Sequence, residues 1–208
     1  MSWQQSEWLA AVELLKALIL EPRTGILMLL LIAAACFDVK TNRIPNWLVF
    51  AGAGFAIVYN GVGFILFDNY FSVPYLRDNG WLVALKGLGV GLVALLPLYL
   101  LRAMGAGDVK LMAMVGAFLG PWNALYALLA TLIAGGVLAS GFLLWTGSVR
   151  RALQNISLIL RGTLLTAPAG FVDLQVAPGT SAGKLPYGVA IAAGTIAYLL
   201  LKQLAFVG

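Results

Sequence analysis

A chain with no histidine and a single cysteine, Cys36, has few routes to covalent chemistry. Without the usual general base and the commonest zinc ligand, Ser/His and Cys/His nucleophilic sites and histidine metal centres are all excluded, and one cysteine allows neither an intrachain disulfide nor a CxxC-type zinc site. Carboxylates, lysines, hydroxyls and backbone remain. Two carboxylates stand out by their neighbourhoods: Asp108 in Met104-Gly105-Ala106-Gly107-Asp108-Val109-Lys110, and Asp38 in Asp38-Val39-Lys40-Thr41-Asn42-Arg43-Ile44-Pro45-Asn46. Brought together, two such groups do not both ionise easily and hold one proton between them. The ionised member then takes a proton from water while the neutral one donates to a carbonyl oxygen. This is hydrolytic chemistry that calls for no metal and no cofactor, and its titration belongs to the pair.

The residues around each aspartate suggest how it is held. Gly105 and Gly107 give the backbone before a short helix access to conformations and close approaches that other residues resist. At that helix N-terminus Asp108 feels exposed N–H groups and the positive end of the helix dipole. The same pattern also fits a plain turn followed by an N-cap. Lys110 is a candidate to hold a carboxylate or a phosphate headgroup, or to serve only as a positive anchor. Asn42 and Asn46 are placed to orient the Asp38 turn by hydrogen bonds, and Pro45 suits the first turn of the helix that follows.

These residues must be carried by membrane helices. With 62% hydrophobic and 10% charged residues in 208 positions, the apolar surface exceeds what a soluble core of this size can bury. Apolar windows recur without a polar stretch long enough for a separate soluble domain, so residues 1–208 are expected to form a single integral membrane domain. The fold class expected is all-α, a polytopic membrane helix bundle of about six transmembrane helices with an N-terminal interfacial helix. The spans fall near residues 25–37, 47–67, 81–101, 106–119, 122–145 and 185–205. The first is short for a crossing, which draws Asp38 to the headgroup boundary, and Pro97 is expected inside the third. Residues 1–22 form the amphipathic interfacial segment: Trp8, Val12, Leu15 and Leu18 share one helical face until Pro22 breaks the pattern. The long connection 146–184 places Val149, Leu153, Ile156, Leu160 and Leu164 opposite Arg150, Arg151, Gln154 and Arg161, as a basic helix lying on an anionic leaflet would.

Charge then orients the bundle. The net charge of +5 is scattered between apolar windows and forms no run that would track phosphates, so no nucleic-acid partner is expected. Lys40, Arg43, Arg102, Lys110, Arg150, Arg151, Arg161 and Lys184 fall on one side; Lys16, Arg23, Arg77, Lys86 and Lys202 fall on the other. This bias faces the 38–46, 102–110 and 146–184 loops to the cytoplasm. Asp38 and Asp108 then emerge on the same, cytoplasmic side.

Gly105-x-Gly107-Asp108-x-Lys110, taken with Asp38-x5-Ile44-Pro45-Asn46, resembles the type IV prepilin peptidase family of Gly-x-Gly-Asp intramembrane aspartyl proteases. Leu185-Pro186-Tyr187-Gly188, opening the last span, resembles a third segment of that family. The resemblance implies six helices in a bacterial inner membrane, a site facing the cytoplasm with Asp38 and Asp108 as catalytic aspartates, and removal of the short basic leader from prepilin, Flp pilin or pseudopilin precursors. Membrane lipids are further partners, with pilus or secretion assembly machinery as another candidate. Larger members insert a domain with paired CxxC motifs and also methylate the new N-terminus. This chain has no such insert and resembles the compact form that serves Flp-type (tight adherence) pili, which puts N-methyltransferase activity in doubt. From the residues themselves, Pro186 and Gly188 are expected to shape a helix entry, and Tyr187 to pack near the site or join the interfacial aromatic belt.

The main alternative is a small transporter using the aspartates to move protons or cations. That would put acidic groups near the bilayer midplane with a polar path to both sides, whereas the outer halves of the spans offer little but Asn60 and Lys86.

Overall fold

The computed structural model describes residues 22–67, 80–100, 104–145, 147 and 187–207, all but a few of them helical. Six helices follow in order: α1 (Pro22–Thr41), α2 (Asn46–Phe67), α3 (Gly80–Leu100), α4 (Ala106–Leu119), α5 (Pro121–Trp145) and α6 (Tyr187–Val207). The all-α polytopic bundle expected from the apolar windows is what forms. Four of these helices have stretches long and apolar enough to cross a membrane by length and composition: Arg23–Thr41, Gly80–Leu100, Pro121–Phe142 and Tyr187–Leu204. The amphipathic segment 1–21, the 146–184 connection apart from Gly147, and Pro186 lie outside the described residues. The chain divides into two compact units, Met1–Gly135 with Pro186–Gly208, and Gly136–Leu185. Every candidate site residue falls in the first.

Two helix boundaries differ from those expected. α1 starts at Pro22, ahead of the expected start near residue 25, since the fixed φ and missing N–H of proline suit a first helical position. At the other end α1 runs on through Asp38, Val39, Lys40 and Thr41. Asp38 is therefore a helical residue one turn from the C-terminus rather than part of a polar turn. The polarity that reads as a loop is the last exposed turn, where Lys40 also suits the negative end of the helix dipole. Asn42 ends the helix with φ 49°, a left-handed conformation that asparagine tolerates, and its N–H still donates to the Asp38 carbonyl over 2.8 Å. Thr41 Oγ1 closes the turn by donating to the Phe37 and Arg43 carbonyls.

The shortest helix, α4, stands at the centre, with α1, α2, α3 and α6 all packed on it. Its side chains from Asp108 to Leu119, Lys110 excepted, are buried. At 14 residues it rises about 21 Å, short of the roughly 30 Å of a hydrocarbon core. Its neighbours, not α4 itself, supply the crossing length.

Glycine lets α3 lie directly against it: a Cβ on Gly87 would overlap the Gly116 carbonyl, and one on Gly91 would overlap that of Met112. In lipid such close packing carries helix association, because apolar side chains gain little by leaving lipid for protein. Leu27, Leu31, Leu48, Met112, Met114, Phe118 and Ile191 fill the interior, while Leu29, Ile32, Phe50, Val58, Val93 and Ile133 point outward. Gly120, with φ 79° and ψ 172°, occupies a backbone region open essentially to glycine alone, and α5 starts immediately after it at Pro121.

Candidate active site

Asp38 and Asp108 reach the same end of the bundle by different routes. Asp38 is carried by the last turn of α1 and Asp108 by the first turn of α4. Both are buried, at 6% and 8% exposure, although neither has a cation paired with it among the described residues. The two carboxylates are near enough for the charge of one to act on the other.

Each is held by one backbone N–H. Gly105, the N-cap of α4, donates to Asp108 Oδ2 over 3.1 Å, so the aspartate caps its own helix. Gly188, the second residue of α6, donates to Asp38 Oδ2 over 2.7 Å. Among the described residues the hydrogen bonds to both groups fall on Oδ2.

The glycines of the Gly-x-Gly-Asp turn work by proximity. Gly105 has φ −78° and ψ 153°, ordinary extended backbone, and neither Gly105 nor Gly107 has a positive φ. The expectation of unusual backbone conformations there is thus corrected. A Cβ on Gly105 would stand 3.2 Å from Asp108 Oδ2, and one on Gly107 would stand 3.4 Å from the Ile44 Cβ. Ile44, buried in the α1–α2 link, is in this way seated against the turn that presents Asp108.

Lys110 holds neither carboxylate. Its Nζ donates to Asn46 Oδ1 over 3.1 Å and lies 5.6 Å from the Phe50 ring centroid, a cation–π arrangement that ties the start of α2 to α4 on the exposed surface. Asn46 accordingly serves Lys110 and not Asp38, and Asn42 acts through its backbone by ending α1. Pro45 is half-buried just before α2, and Tyr187 is the half-buried first residue of α6.

Against this geometry, a family model described as the type IV leader peptidase family matches residues 25–140, more than half of the chain. The chain belongs to that family. Curated proteins and solved structures give no significant match. The matched stretch contains both aspartates, Ile44 and the Gly-x-Gly turn, and stops before α6. The peptidase is thus a membrane protein of the leader-removing class, a family that implies prepilin-type substrates.

Sequence reasoning gave Gly188 only a role at the helix entry and missed its hydrogen bond to Asp38. The available signal was a glycine in the first turn of the final span, where backbone N–H groups have no partner within the helix. Also missed was the purpose of Asn60 at the opposite end. Its Nδ2 donates to the carbonyls of Ala56 and Ala117, and its Oδ1 accepts from Arg23 over 3.3 Å. This polar group is committed to joining α1, α2 and α4.

Proposed function

We propose that the protein is a membrane-embedded aspartic endopeptidase that removes the short basic leader from type IV prepilin-like precursors at the cytoplasmic face of a bacterial inner membrane, with Asp38 and Asp108 activating water. The observation that carries this reading is the pair itself: two buried carboxylates within electrostatic reach, each steadied by a glycine N–H, on a chain of the leader peptidase family.

The chemistry requires only what the pair provides. The ionised carboxylate takes a proton from water as the water oxygen bonds to the scissile carbonyl carbon, and the neutral carboxyl gives its proton to the carbonyl oxygen. On collapse, the tetrahedral carbon loses its bond to nitrogen and the departing amine takes the proton drawn from water. The first donor recovers its proton from the collapsing hydroxyl, so one water is consumed and the pair returns to its starting state. Burial in protein keeps bulk water from competing for these protons.

The orientation rests on the Lys/Arg bias of the 38–46, 102–110 and 146–184 stretches. A leader carrying positive charge and followed by a hydrophobic helix would bring its junction to the inner headgroup level, where the end of α1 and the start of α4 lie in this orientation. Flp pilin and pseudopilin precursors share that design.

The test is processing of a co-expressed prepilin by Asp38→Asn and Asp108→Asn. Each is expected to abolish leader removal while the protein still accumulates in the membrane with an unchanged melting profile in detergent. Normal-rate processing by either variant would overturn the two-aspartate mechanism. A transporter is disfavoured by Asn60, whose amide is taken up by Ala56, Ala117 and Arg23.

A further inference from the structure

The two carboxylates are anchored unequally. Asp108 takes its N–H from Gly105, three residues away in the same helix turn, so that bond forms whenever α4 forms. Asp38 takes its N–H from Gly188, 150 residues along the chain, so that bond exists only when α6 has docked on α1. Gly188 is buried, and a Cβ there would stand 2.8 Å from Asp38 Oδ2 and 3.1 Å from both the Cβ and Cγ of Asp38. The surface it offers is therefore shaped to this one side chain, with a donor aimed at Oδ2 and no room for a methyl group.

We propose that Gly188 is the positioning residue of Asp38: its N–H fixes Oδ2 and its bare Cα leaves the space the carboxylate occupies, so that docking of α6 sets the reactive placement of one half of the pair. This rests on the two-aspartate reading above. It adds a residue outside the matched stretch 25–140 to the machinery that aims the site. A methyl group at position 188 pushes Asp38 away from its place, and displacements of this order cost about 100-fold in rate when a reacting group is moved by roughly an ångström.

Gly188→Ala in the full chain is expected to lower kcat for leader removal about 100-fold with KM within about twofold, because the residue aims the reacting group and does not bind the precursor. A melting-temperature cycle in detergent separates this from a packing defect. Replacing Asp38 by alanine removes two of the three atoms that the new methyl group would strike, so Gly188→Ala should lower the melting temperature in the parent protein and much less in an Asp38→Ala background. Gly194→Ala, on α6 like Gly188, where the new Cβ would overlap the Thr131 backbone of α5, is the control. Its melting loss should be the same in both backgrounds.

A Gly188→Ala variant that accumulates only when Asp38 is also alanine supports the proposal by the same logic. Wild-type kcat in Gly188→Ala, additive melting losses, or equal Asp38 dependence in Gly194→Ala would each overturn it while leaving the two-aspartate mechanism standing. Failure of that mechanism is read separately, from an active Asp38→Asn.

Discussion

Ile44 is seated against Gly107, with 3.4 Å between its Cβ and the position a Cβ on the glycine would take. The contact joins the α1–α2 link to the turn that presents Asp108, so the distance between the two aspartates is partly set by a side chain that does no chemistry. Gly107→Ala adds a methyl group at a separation that a small shift accommodates, and processing is expected to stay within about threefold of the parent. Gly107→Val drives further methyl groups into Ile44 and should cost at least about tenfold. A prepilin processing time course distinguishes the two.

The contact between α3 and α4 is backbone against backbone at Gly87 and Gly116. Gly87→Ala is expected to destabilise the protein by about 1–3 kcal/mol, the usual cost of overpacking, and to lower activity with it because α4 carries Asp108. Gly89→Ala on the same helix meets nothing within 4 Å and should leave the melting temperature unchanged or slightly raised. Thermal unfolding in detergent compares the pair directly.

Asn60 belongs to the end of the bundle away from the aspartates, at 2% exposure. Asn60→Ala deprives the Ala117 carbonyl and Arg23 of their partner and should cost about 1–2 kcal/mol, in the range of interhelical hydrogen bonds within membranes. Because the site is remote, kcat per folded molecule is expected to stay at the parent value. Unfolding measurements read the first effect and activity normalised to folded protein reads the second.

Lys110 offers a test of whether a cation beside the Gly-x-Gly-Asp turn matters to substrate. Its bond to Asn46 and its place over Phe50 are exposed and largely structural, and such contacts contribute about 0.5–1 kcal/mol. Lys110→Met is therefore expected to keep KM within about twofold and to lower the melting temperature slightly. A KM rise of tenfold or more would assign the lysine to precursor binding.

Much of the bundle is legible in the sequence because lipid imposes a simple demand. A spanning segment must satisfy its own backbone and present apolar side chains, and the windows from Trp47, Trp81 and Trp122 do both within a residue or two of the observed helices. The first helix is less legible. Its last turn is polar and, Asp38 apart, exposed, and polarity separates lipid from water, not helix from loop, so Asp38 to Thr41 reads as a turn although it is helical.

What the sequence determines alone is local: which stretches are helical, that Asp108 sits in the first turn of a helix behind two glycines, and that Asp38 and Asp108 are the candidate carboxylates by their neighbourhoods. The Gly105 bond to Asp108 belongs with these, since donor and acceptor lie three residues apart. Only the tertiary structure decides the rest. It brings Gly188 to Asp38 across 150 positions, turns Lys110 toward Asn46 and Phe50 rather than a carboxylate, and gives Gly107 its purpose against Ile44. The reason is physical: periodicity records which face of a helix is apolar, but not which neighbour fills that face or how closely two backbones approach, and those choices place the Asp38 carboxylate.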